Sequence, residues 1–117
     1  MAHRGQSHDA DHPVPLTPAV FHILLSLSEG ALHGYAIMQA VRRATEPGVR
    51  MGPGTIYGCL QRMERAGLVE DCGAAADGKR RLFGLTPLGE RALEAESIRI
   101  VRLADRVRER GLIPHGV

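Results

Sequence analysis

Aromatic residues are scarce in this chain of 117 residues, which has no tryptophan and only two tyrosines and two phenylalanines. Proteins that hold single-stranded nucleic acids stack the bases on aromatic rings, and this chain has too few rings for such a platform. The sequence also lacks an apolar run long enough to cross a membrane, and residues 1–15 have no apolar centre like that of a signal peptide. We therefore expect a cytoplasmic protein with no membrane partner.

Cysteine is limited to Cys59 and Cys72, which excludes a disulfide framework and predicts two reduced, mostly buried thiols. A redox switch at Cys59 is the alternative, but its place beside Leu60, near the predicted buried face of a helix, does not favour a reactive thiolate.

Lysine is limited to Lys79, against fourteen arginines. Arginine makes bidentate contacts with phosphate or guanine, so this bias suits nucleic-acid binding, although the net charge is only +2.

The length is typical of one domain. Residues 1–15 are polar, rich in histidine and aspartate, and predict a flexible N-terminal arm. A metal site is the alternative for this arm, and we favour a disordered tail because nothing indicates that the segment folds into the compact site a metal needs. The residues that suggest the metal site are His3, His8, Asp9, Asp11 and His12.

Two helices are predicted after the arm. Thr17-Pro18 is a capping residue followed by proline, which predicts a first helix that closes at Gly30. Its apolar stripe includes Phe21 and Leu24 and is broad enough to touch both the core and a second chain. The second helix begins at 33–35, with Tyr35 in its first turn as a candidate DNA-binding residue, and ends at 47–48, where proline and glycine follow each other.

A third helix follows after a connector of a few residues, which is the spacing of a helix-turn-helix. Pro53 suits its first turn and Gly67 lies just past its end. Its apolar positions share one face, and an ordinary amphipathic helix with a solvated polar face is the alternative reading. As a recognition helix, it would present its N-terminal end and its polar face to the bases and phosphates of DNA. The residues at that end and on that face are Pro53, Gly54, Thr55, Tyr57, Gly58, Gln61, Arg62 and Arg65.

The sequence then changes to a period typical of strands. Two strand-like segments, 68–72 and 80–85, are joined by a turn at Asp77-Gly78, so a β-hairpin is predicted. The basic residues Lys79, Arg80 and Arg81 follow the turn directly. A basic hairpin immediately after a recognition helix is a wing, which would lie along the DNA backbone or enter the minor groove. A surface hairpin with solvated charges is the alternative.

The longest predicted helix runs from Pro87 to about Arg110, roughly 36 Å at 1.5 Å per residue. Its charged residues are assigned to the exposed faces, among them the pair Glu96 and Arg99. A helix of this length extends past so small a domain, so its apolar seam predicts a homodimer. The seam consists of Leu93, Ile100, Ala104 and Val107.

These elements give a mainly α fold with a small β-hairpin: a winged helix-turn-helix over 16–86 and a C-terminal dimerisation helix over 87–114. The ordered motifs resemble the PadR family of transcriptional regulators, in its branch with a single C-terminal helix. The motifs are Leu-His-Gly-Tyr at 32–35, Gly-Pro-Gly-Thr-Ile-Tyr at 52–57, Gly-Leu-Val at 67–69 and Leu-Thr-Pro-Leu-Gly at 85–89. The chain departs from the family pattern at 82–84, where Leu-Phe-Gly stands in place of two aromatics and a basic residue.

The resemblance implies a dimeric repressor that places the third helix in the major groove of a double-stranded operator. A pseudo-palindromic operator is expected from the twofold symmetry of a dimer. One alternative is a sensor whose dimer seam holds a small apolar or phenolic effector, and another is a winged-helix adaptor that binds proteins. No motif for nucleophilic catalysis or phosphate binding is recognisable, so neither an enzyme nor a cofactor is expected.

Overall fold

The computed structural model describes residues 16–45 and 51–114. The arm, with its alternative metal site, and the predicted end of the second helix at 47–48 lie outside the described residues. Within the described ranges the chain forms four helices and three strands. In order they are α1 (Pro18–Ser26), β1 (Leu32–His33), α2 (Gly34–Thr45), α3 (Pro53–Arg65), β2 (Val69–Ala74), β3 (Arg81–Leu85) and α4 (Pro87–Glu109).

Threonine followed by proline begins both the first and the last helix, as the sequence predicts. The Thr17 hydroxyl accepts a hydrogen bond from the backbone N–H of Val20 at 3.2 Å, and Thr86 accepts one from Gly89 at 2.9 Å. Each bond satisfies one of the free N–H groups of a first helical turn. The predicted end of α1 at Gly30 is wrong, because the helix stops at Ser26, whose hydroxyl donates to the Ile23 carbonyl.

The end of α3 is fixed by a Schellman motif at Gly67. This glycine has a φ of 80°, its N–H donates to the Glu64 carbonyl at 3.0 Å, and the N–H of Leu68 donates to Met63 at 2.9 Å. A left-handed residue at this point favours glycine, since other side chains are strained there. The chain therefore reverses sharply after α3 and enters β2 directly.

The predicted hairpin is part of a three-stranded antiparallel sheet in the order β1-β3-β2. Val69 pairs with Leu85 and Asp71 with Phe83, which builds the wing, and Leu32 pairs with Phe83 from the other side. β1, which is only two residues long, is not predicted from the sequence. This strand ties the start of α2 to the wing.

One hydrophobic core lies between the helices and the sheet. Its fully buried members come from α1, α2, α3 and β2. Leu24 is among them and has no exposed surface in the single chain. Cys59 is also buried, whereas Cys72 is exposed, which corrects the expectation of two buried thiols. The fully buried residues with the largest side chains are Ile23, Leu24, Ile37, Val41, Ile56, Leu60 and Val69.

The first half of α4 packs on this core. Ala92 and Leu93 lie against it, and Gly89 is buried at the helix start. Glu96 is buried as well, which corrects its assignment to an exposed face. Its carboxylate accepts from Arg99 Nη2 at 2.6 Å and from Nε at 3.0 Å, and the backbone N–H of Leu16 is a further donor. These bonds hold the pKa of Glu96 below its ordinary value, with the Arg99 side chain the largest cause.

Two kinds of feature are absent from the parts of the chain that the structure describes. No helix in 16–45 or 51–114 is long and apolar enough to cross a membrane. The same residues contain no group of three or more histidine, cysteine, aspartate or glutamate side chains that could hold a metal ion.

Candidate nucleic-acid interface

The N-terminal end of α3 is open to solvent. Gly52 caps the helix without a side chain, and a Cβ added at Gly54 would meet no atom within 4 Å. Thr55 and Tyr57 follow in the first turn and both are exposed. Further along, the exposed polar face continues with Gln61, Arg62 and Arg65, while Ile56 on the opposite face is fully buried. The helix therefore presents small and polar groups to solvent over its whole length.

Tyr57 lies against the first residue of α2. A Cβ built on Gly34 would be 2.5 Å from the Tyr57 hydroxyl oxygen and 2.6 Å from the adjoining ring carbon. Only glycine leaves room for the ring at this place, since real Cβ atoms do not approach so closely. Beside it, the hydroxyl of Tyr35 accepts a hydrogen bond from Gln39 at 2.8 Å and remains exposed. The two tyrosines that the sequence analysis assigned to the DNA-binding set thus both lie where α2 begins and α3 passes it.

The wing has an ordered tip built around Asp77. One carboxylate oxygen accepts from the backbone N–H groups of Lys79 and Arg80, at 2.9 and 3.2 Å. The other oxygen accepts from Arg80 Nε at 2.9 Å. The backbone N–H of Lys79 and the Arg80 side chain, in that order, lower the pKa of Asp77 to about 2. The basic residues at the tip are therefore held by a carboxylate that is ionised over the whole physiological range.

A second carboxylate holds the base of the wing. Arg81 Nε donates to Asp71 Oδ2 at 2.5 Å, across the two wing strands. This bond, followed by one from the Gly73 backbone, lowers the pKa of Asp71. Exposed ion pairs contribute little to stability, so their main effect here is to orient the arginines.

Arg80 also reaches the end of β1. Its Nη1 lies 3.2 Å from Nε2 of His33, while Nδ1 of the same imidazole accepts from the Ala36 N–H at 3.2 Å. His33 thus joins the wing tip to the first turn of α2. His33 is not among the interface residues predicted from the sequence, because its contact with Arg80 depends on β1 pairing with β3.

Arg62 has a partner on its own helix. Its Nη2 lies 3.3 Å from the sulfur of Cys59. Cys59 and Arg62 both line an open groove between α1 and α3, whose other lining residues are Leu16, Thr17, Val20, Met63, Ala66 and Leu68. The guanidinium therefore lies at the border between the polar face of α3 and the apolar groove behind it.

The residues assigned to dimer contacts occupy different environments. Phe21 is half-buried on α1, where its ring meets the His22 imidazole edge to face at 5.7 Å between centroids. Leu93 lies against the core. Ile100 has 36% of its surface exposed, and Ala104 and Val107 are partly exposed. The second half of α4 is thus the part with an uncovered apolar surface.

Comparison with known proteins gives the family. The family model "Transcriptional regulator PadR-like family" matches residues 23–95. A protein of Streptomyces fradiae, an uncharacterised 37.1 kDa protein of transposon TN4556, is 42% identical over 87 residues, 74% of this chain. The chain spans only 24% of that protein. Transcriptional regulator Rv3488 of Mycobacterium tuberculosis is 34% identical over 87 residues, which cover 74% of this chain and 78% of the regulator.

Solved structures share the fold. A PadR family transcription regulator from Clostridium difficile superposes with a TM-score of 0.68 at 26% identity, covering 83% of this chain and 100% of that one. Bacillus subtilis PadR, solved in complex with operator DNA, has a TM-score of 0.61 at 21% identity, covering 70% of this chain and 46% of the regulator. The helix order, the wing and the family match agree, and they make this chain a member of the PadR-like family of transcriptional regulators.

Proposed function

We propose that this protein is a homodimeric repressor that binds a pseudo-palindromic operator, with α3 in the major groove and the wing on the adjoining backbone. The observation that carries the proposal is the exposed N-terminal end of α3 beside the ordered basic tip of the wing. Small and polar groups at this end of α3 permit close approach to base edges, and the arginines of α3 and the wing supply phosphate contacts. The Bacillus subtilis relative with operator DNA supports this assignment by its shared fold.

The dimer is supported by the apolar stripe of α4. Leu93, Ile100, Leu103 and Val107 recur at spacings of seven, three and four, so they share one face of the helix. The first half of that face is buried on the chain's own core, whereas Leu103 is 50% exposed. A second copy would cover this stripe and place two α3 helices about a twofold axis. Half-sites on the order of 10 base pairs apart are expected for such a dimer.

The experiment is a binding titration with a duplex selected from a random pool and with an unrelated duplex, at several salt concentrations. Wild-type protein should bind both, prefer the selected duplex, and lose affinity as salt rises. Thr55→Ala should weaken binding to the selected duplex more than to the unrelated one. Arg65→Ala should weaken both equally and reduce the salt slope by about one. Arg108→Ala, at the far end of α4, is the control and should leave binding unchanged.

The proposal fails if wild-type protein binds neither duplex at low salt, and the winged-helix adaptor then takes its place. Repression itself is tested with a reporter gene downstream of the selected sequence. Expression that rises on adding the protein would contradict the repressor role without affecting DNA binding.

A second candidate function adds a small apolar or phenolic effector that releases DNA. The observation that favours it is the groove between α1 and α3, which has a volume of about 310 Å³ and a mostly apolar lining. A molecule bound there would touch Cys59 and Arg62, which belong to the helix proposed to read DNA. Thermal shift with a panel of apolar and phenolic compounds tests this function, and Val20→Trp, which fills the groove, should abolish any shift. A panel without effect on either melting or DNA binding would exclude it.

A further inference from the structure

The hydrogen-bond geometry at His33 is not satisfied among the residues that the structure describes. A neutral imidazole has one N–H donor and one acceptor nitrogen. Nδ1 accepts from the backbone N–H of Ala36, so the hydrogen is on Nε2. The atom that faces Nε2 at 3.2 Å is Nη1 of Arg80, which is also a donor. Two donors therefore point at the same place, and neither can accept from the other.

The carboxylate of Asp77, which already holds Arg80, does not relieve this conflict. Both carboxylate oxygens of Asp77 are already used, one by the backbone of Lys79 and Arg80 and the other by Arg80 Nε. The bond to Nε also fixes the guanidinium so that Nη1 is directed toward His33. What the arrangement requires is an oxygen that accepts from Nη1–H and Nε2–H together.

We propose that His33 and Arg80 together bind one phosphate of the DNA backbone, whose oxygen accepts from both side chains. This inference rests on the proposed function and adds His33 to the DNA-binding residues. A phosphate oxygen is anionic and accepts several hydrogen bonds, so it satisfies both donors at once. The N-terminus of α2, one residue away, carries a partial positive charge that adds to the attraction.

The position within the fold favours DNA over a free anion. The two side chains bridge the wing tip and the start of α2, and Tyr57 from α3 lies against Gly34, the neighbour of His33. A DNA backbone that runs from the N-terminal end of α3 toward the wing would pass the pair His33 and Arg80. Arg80 is more than half exposed, so a phosphate can reach it without any rearrangement of the core.

The test separates the two ring nitrogens by substitution. His33→Asn keeps a side-chain acceptor for the Ala36 N–H, since asparagine is a favoured helix cap, but removes the distal donor. With a duplex of arbitrary sequence, His33→Asn and Arg80→Ala should each weaken binding roughly threefold to tenfold, as expected for a partly exposed bond to a charged group. The double variant should be no weaker than the weaker single variant, and its salt slope should fall by about one, since a single phosphate is shared. Thermal melting of His33→Asn should match wild type.

Three results would overturn the inference. They are wild-type affinity in His33→Asn, a double variant whose effect is the product of the single effects, and a titration in which inorganic phosphate raises the melting temperature of wild type but not of His33→Asn while duplex binding stays equal. The last result would assign the site to a free anion. A wild-type protein that binds no duplex is a different outcome, because it refutes the proposed function itself.

Discussion

The α-carbon of Gly89 lies against the backbone carbonyl of Leu68, so closely that a Cβ at this position would overlap the carbonyl oxygen. The same carbonyl accepts from the Thr86 N–H at 3.2 Å, and the Thr86 hydroxyl donates to the Gly67 carbonyl. The start of α4 is thus fastened to the turn that ends α3. This junction sets the direction of α4 relative to α3, and any side chain at Gly89 would force the two apart.

Gly89→Ala should therefore lower the free energy of unfolding by about 2 to 4 kcal/mol, because the clash is with backbone and cannot be relieved by a rotamer change. Chemical denaturation monitored by circular dichroism measures the effect. Gly54→Ala is the matched control, since it is also in a first helical turn and a Cβ there meets nothing within 4 Å. Equal stability of the two variants would contradict the assigned packing.

Gly34→Ala should separate stability from DNA binding. The new methyl group would displace the Tyr57 ring, which is 47% exposed and can swing outward, so the change in unfolding free energy should stay below about 1 kcal/mol. Affinity for DNA should fall roughly threefold to tenfold because Tyr57 leaves its place beside α2. In a Tyr57→Ala background the same change should have no further effect on affinity. A further loss in that background would show that Gly34 acts through something other than Tyr57.

The elements that the sequence predicts well are those with local causes. The Thr-Pro pairs at 17–18 and 86–87 begin helices wherever they occur, and Gly67 ends α3 because its φ excludes most other residues. The exposed face of α3 also follows from local periodicity, since its buried positions recur every three or four residues. Local patterns were therefore sufficient for the helices and for the candidate recognition face.

The features that the sequence does not reveal depend on partners far along the chain. β1 is two residues long and exists because Leu32 and His33 pair with Phe83 and Leu82 in a distant part of the sequence. Glu96 has the character of a surface residue, and only the fold brings the Leu16 N–H to its carboxylate. The contact between His33 and Arg80 is equally non-local. Charge and periodicity alone give no signal for any of the three.

Glu96 should make stability depend on pH. Its pKa is lowered from the ordinary value of 4.5 in the folded protein, so its contribution is complete above that value and is lost as pH falls through the folded pKa. Glu96→Gln should lower the unfolding free energy by about 1 to 2 kcal/mol at neutral pH and flatten its decrease below pH 4.5. Denaturation curves at a series of pH values measure both effects. Glu94→Gln, exposed on the same helix, is the control and should change stability by less than about 0.5 kcal/mol.

The uncovered half of the α4 stripe gives a direct test of the dimer. Leu103 lies on the same face of α4 as Ile100 and Val107. A charge at Leu103 would therefore be buried in the proposed interface between two copies. Leu103→Asp should therefore yield monomers in sedimentation experiments and weaken binding to a selected palindromic duplex by about 100-fold or more, since two linked half-sites gain that much over one. Ile98→Asp is the matched control: Ile98 is 45% exposed on the same helix but lies on the opposite side of it from Val107. Its variant should stay dimeric, and a Leu103→Asp protein that also stays dimeric would place the interface elsewhere.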